Sequence, residues 1–168
     1  MAEKEEILRE KIAHTGLFDF KAMYSYMHSW LIDEGFGVTE EKYSEKVASG
    51  GNSRDISFLW KASKRLSDYF KLEMEIEATI TELTDVEVEI DGKKKKMNKG
   101  KAGLEIKGIL TRDPDSKWDT SAFYSFIRDV YNKYIIPGKI DTVQNILRKT
   151  VKTFKEEVKS VLELTGRR

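Results

Sequence analysis

From Phe70 to Ile80 every even position is apolar: Phe70, Leu72, Met74, Ile76, Ala78 and Ile80. Lys71, Glu73, Glu75, Glu77 and Thr79 lie between them. A repeat of two is the period of a pleated strand, and no helix sorts these residues onto two faces. The segment predicts a strand with one dry and one wet side, as in an antiparallel sheet covered by helices on one face.

The neighbouring segments extend this pattern. Ile56, Phe58, Trp60 and Ala62 alternate before it, after a turn at Gly50-Gly51-Asn52 and a weaker strand through Tyr43, Glu45 and Val47. A turn near Ser67-Asp68 separates the two alternating runs. Val86, Val88 and Ile90 keep the even parity, with a turn or kink expected where Glu82 and Thr84 interrupt it. Asp91-Gly92 is the signature of a type I′ hairpin, whose two central residues both need positive φ. Facing residues then sum to 183, so Val86 faces Met97, yet Leu104, Ile106 and Leu110 are even again. One residue must be absorbed between 97 and 104, and Asn98-Lys99-Gly100 is the expected bulge or second turn.

Helical spacing appears at both ends. Residues 3–13 read as a short charged helix carrying Ile7, Leu8 and Ile12. Asp19 is a candidate N-cap for a helix at 20–34 with Phe20, Met23, Tyr24, Met27, Trp30 and Leu31 on its apolar stripe. Asp113-Pro114-Asp115 ends the sheet, and a helix over 120–135, apolar nearly all round, is expected to be largely buried. Pro137-Gly138 separates it from a last helix at 140–164. The expected architecture is α+β in one domain, 1–168. Two N-terminal and two C-terminal helices pack mainly on one face of an antiparallel meander of five to six strands.

Groups suited to catalysis are few. The chain has no Cys and two histidines, His14 and His28, neither with a visible orienting partner. This predicts no metal site, which usually takes three or four ligands, and no cofactor. Gly100-Lys101-Ala102-Gly103 leads into a strand rather than a helix and is no phosphate loop. No apolar run reaches the length of a membrane span. The charged N-terminus is not followed by an apolar signal segment, and a cytoplasmic location is expected.

One cluster has a sharp alternative reading. Lys93, Lys94, Lys95, Lys96, Lys99 and Lys101 form a basic run with no acid among them. Such a finger can grip phosphates of nucleic acid or lipid headgroups, and six contacts would give a log–log salt slope of about −5. The plainer reading is a hairpin zipped by cross-strand pairs with Asp85, Glu87, Glu89 and Asp91.

Several segments together carry a resemblance: Trp60-Lys61, Leu66-Ser67-Asp68-Tyr69-Phe70, Asp85 to Lys93, Met97-Asn98-Lys99-Gly100, Trp118 and Tyr131-Asn132-Lys133-Tyr134. Over roughly 18–165 the chain resembles a family of small uncharacterised archaeal proteins found especially in reduced-genome lineages. That resemblance implies a cytoplasmic archaeal protein and supplies no activity, cofactor or site residue. Three functional readings follow from the residues. The first is a non-enzymatic binding or assembly module, self-associating through a sheet edge or the last helix. The second is a nucleic-acid or ribonucleoprotein accessory using the Lys-rich hairpin. The third is a carrier of a small apolar ligand held between sheet and last helix.

Overall fold

A computed structural model describes residues 3–112, 122, 123, 126, 127, 130 and 136–166 of the chain. Five antiparallel strands form one sheet: β1 (Glu3–Phe18), β2 (Gly37–Val47), β3 (Arg54–Arg65), β4 (Phe70–Ile90) and β5 (Lys93–Arg112), in the order β1-β5-β4-β3-β2. Helix α1 (Phe20–Asp33) joins β1 at one edge to β2 at the other, and the long α2 (Ile136–Gly166) follows the sheet. The predicted meander is β2 through β5. The even residues of β3 and those of β4 from Phe70 to Ile80 face the core, where Phe58, Trp60, Leu72, Met74, Ile76 and Ile80 are all buried. Leu147, Val151, Phe154, Val158 and Leu162 of α2 close this layer from one side. α2 lies over β1 and β5, while α1 touches both α2 and β2.

The N-terminal segment corrects the sequence reading. Residues 3–13 are strand, not helix, so only one N-terminal helix precedes β2. Their Glu and Lys content favours a helix locally, but pairing with β5 from Glu3↔Arg112 to Phe18↔Asn98 overrides that preference. A register shift between Glu6 and Leu8 breaks the alternation and leaves Ile7 and Leu8 adjacent on the core, a spacing that imitates a helical stripe. Glu10, on the helix-facing side opposite Ile106, reaches Lys155 of α2 at 3.1 Å.

Local signals at α1 are realised. Asp19 Oδ1 accepts from the Ala22 amide at 3.0 Å, and Gly35, at φ +92°, ends the helix. The final helix begins earlier than expected. Pro137 lies in its first turn, where a missing N–H is tolerated. The predicted 120–135 helix is described only at five positions, all helical. Of these, Phe123 and Phe126 are about two-thirds exposed and Val130 is also exposed, against the expectation of burial. The rest of that segment lies outside the described residues.

The β4–β5 pairing decides where the lysines point. Asp91 (φ 50°) and Gly92 (φ 80°) make the expected turn, and Val86 does face Met97. The extra residue, however, is in β4 rather than at 98–100. The register steps from Thr81↔Lys101 to Thr84↔Lys99, so Glu82 and Leu83 together oppose Gly100. Glu82 takes φ 56°, and Leu83 turns into the core. A Cβ on Gly100 would stand 3.0 Å from the Thr81 carbonyl oxygen and 3.2 Å from Leu83 Cα, so glycine is required there for close approach.

Candidate nucleic-acid interface

Beyond the bulge, β4 and β5 have no other strand beside them. β3 pairs with β4 only as far as Leu83, and β1 pairs with β5 only from Asn98 onward. Residues 84–97 therefore form a two-stranded arm that extends past the sheet. Its two faces follow from strand alternation. Asn98 lies on the helix side, since its Oδ1 accepts from the Phe20 amide at 3.0 Å while its Nδ2 donates to Asp85 at 2.8 Å. Asp85, Glu87, Glu89, Lys94 and Lys96 share that side with it. Register places Lys96 opposite Glu87 and Lys94 opposite Glu89.

The other side is different in kind. Here Lys93 faces Ile90, Lys95 faces Val88, Met97 faces Val86, and Lys99 faces Thr84. Lys101 continues the row at the arm's base. At about 3.4 Å per residue, the stripe from Lys93 to Lys101 is about 27 Å long. All four lysines are exposed, while Met97, between Lys95 and Lys99, is 2% exposed and lies outside the main core. Glu82, at the bulge, is 3.7 Å from Lys101. Among the described residues, no carboxylate lies within 4.0 Å of Lys93, Lys95 or Lys99. An open depression of about 310 Å³ at the base is lined by Thr15, Gly16, Glu82, Thr84, Lys99, Gly100 and Lys101.

The six sequence-predicted lysines are thus not one patch. Two sit among acids, and four form a stripe whose arm-strand neighbours are apolar or Thr. Even parity suggested that Val86, Val88 and Ile90 join the core face. Instead the β4 bulge moves them to the outer side of the sheet, beside the lysines. The sequence carried a signal for this in the interruption at Glu82 and Thr84, but the parity mismatch alone could not say which strand held the extra residue.

Sequence reasoning missed a second constellation. A register shift between Glu40 and Lys42 in β2 puts Glu40 opposite Trp60 and Tyr43 opposite Phe58, so both stand on the helix-facing side. Tyr24 donates its hydroxyl to Glu40 Oε2, and Trp60 Nε1 donates to the same oxygen at 2.8 Å. Burial first, then the Glu40 carboxylate, push the Tyr24 phenol up to about 12, so it remains a neutral donor. His28 packs edge-on to Trp60 with centroids 5.9 Å apart, and His14 Nε2 is 3.0 Å from the Leu17 carbonyl oxygen. Among the described residues, no carboxylate is hydrogen-bonded to either histidine.

Among the described residues, no group of three or more His, Cys, Asp or Glu is placed to hold a metal ion. No described helix is long and apolar enough to cross a membrane. A cleft of about 610 Å³ lies between the β3–β4 turn and the start of α2, with Leu66, Tyr69, Phe70 and Val143 in its wall. Neither protein-family models nor curated proteins give a match to this chain.

Proposed function

We propose that this protein is a binding module that uses the outer side of its β4–β5 arm to grip the phosphate backbone of duplex nucleic acid. The observation that carries this reading is the segregation of charge by the bulge. Lys93, Lys95, Lys99 and Lys101 fall on one side, and among the described residues the ion pair there is Lys101 with Glu82 at the base. Register sets Lys94 and Lys96 opposite Glu89 and Glu87, as cross-strand charge pairing would, whereas these four stand opposite Ile90, Val88, Thr84 and Thr81. The shape supports the same reading, because a two-stranded ribbon is an element that the major groove of a duplex admits. Lysines along it meet phosphates as point charges and carry no sequence readout, so binding is expected to be sequence-tolerant.

A salt titration with a generic duplex tests this. Four phosphate contacts release enough counterions for a log–log slope of about −3.5. A duplex that does not bind at low salt overturns the reading. Binding to anionic vesicles but not to duplex would assign the stripe to lipid headgroups instead.

The cleft of about 610 Å³ favours a second reading, a carrier of a small apolar ligand beside α2. Native mass spectrometry of protein purified from its host would reveal the added ligand mass.

A further inference from the structure

We propose that the groove between α1 and β2, independent of the lysine arm, binds a quaternary or methylated ammonium group. The groove has a volume of about 450 Å³ and is lined by Phe20, Lys21, Tyr24, Glu40 and Tyr43. Three aromatic rings around one carboxylate make the chemistry of a cation site: ring faces attract a cation that is too weakly hydrated to be held by water, and the carboxylate adds its charge.

The local construction supports this assignment. The β2 bulge at Glu41 is what brings Glu40 and Tyr43 to the same side, and bulges recur where a strand re-aims side chains at a site. Glu40 is held in place by two donors on one oxygen, from Tyr24 and Trp60. Its Oε1 has no hydrogen-bond partner and Glu40 has no cationic partner among the described residues. Behind it the rings are fixed, with Tyr24 edge-on to Trp60 at 4.9 Å and to Phe58 at 5.3 Å between centroids. Tyr43, 46% exposed, is the aromatic residue of an edge strand whose neighbouring Glu40, Glu41, Lys42, Glu45 and Lys46 are the usual guards. Lys21 also lines the groove, and its flexible stem lets the ammonium swing into water.

Choline and its neutral isostere 3,3-dimethyl-1-butanol separate this proposal from a merely apolar groove. Followed by chemical-shift changes at α1 and β2, choline is expected to saturate, and the neutral isostere to bind about tenfold more weakly. Tyr43→Ala and Glu40→Gln should each weaken choline binding several-fold, and Lys21→Gln should strengthen it. Tyr43 is half exposed on an edge strand, so its replacement leaves the fold intact and keeps the test valid even if Glu40→Gln loosens β2. An acetylated trimethyllysine amide run alongside tells a free small cation from a modified side chain by which binds more tightly. Equal binding of choline and its isostere, or shifts that never saturate, would overturn the proposal.

Discussion

Gly108 sits where α2 comes down on β5. A Cβ there would lie 2.5 Å from Leu8 Cδ2, 3.1 Å from Val151 Cγ2 and 3.3 Å from Leu147 Cγ. None of these is the free end of a surface chain: Leu147 and Val151 are fully buried, and Leu8 packs against the core. Gly108→Val is therefore expected to push α2 away from the sheet and destabilise the protein by about 1–3 kcal/mol, the usual penalty for overpacking. Thermal unfolding would show this as a fall in Tm of about 2–4 °C per kcal/mol at this chain length. An unchanged Tm would mean that α2 does not rest on this strand. At the same scale, Trp60 shows how one residue serves two ends. Its ring is buried in the core while its Nε1 fixes Glu40 at the surface groove.

Among the elements, β4 carries most of the information and most of the surprise. Glu82 holds a backbone conformation that glycine adopts freely and a β-branched residue resists. Glu82→Val should thus lower Tm, while Glu82→Gly should leave it level or slightly raised. The opposite order would place the bulge elsewhere. The core face of β3 and β4 was legible because buried sheet alternation leaves a repeat of two in the sequence, and the Asp91-Gly92 turn was legible because few residue pairs take its φ values. β1 was not, because its bulge at Ile7 scrambled the repeat and its Glu and Lys residues suit a helix. Glu10 hides the same strand further, since it occupies a helix-facing position by pairing with Lys155 rather than by being apolar. The lysines were visible as a run that strand alternation divides into two and four, but which side of the sheet each set takes depends on the β4 bulge, which no local pattern located. The Glu40 groove was invisible for the same reason: Tyr24, Glu40, Tyr43 and Trp60 come from three elements and meet only through a second bulge.

For the molecule as a whole, one sheet has two chemically distinct sides. α1 and α2 cover one of them and supply the apolar groups that hold the fold together. On the other side Lys61 stands opposite Glu75, and Glu75 in turn opposite Lys107 on the next strand, charge pairing suited to a polar face. Only past Glu82 does this outer side change character, becoming a ribbon with lysines on β5 and Val86, Val88 and Ile90 on β4. The bulge makes the arm two-sided, and on the proposed function only the outer-side lysines meet phosphate. Fluorescence anisotropy of a labelled duplex at low salt tests it with two variants, K94Q/K96Q and K93Q/K95Q. Each removes two adjacent charges from the same four-residue segment and leaves the same net charge. K93Q/K95Q is expected to weaken binding markedly and to flatten the salt slope by about 2, while K94Q/K96Q changes both little. Equal losses in the two variants, or a larger loss from K94Q/K96Q, would contradict it.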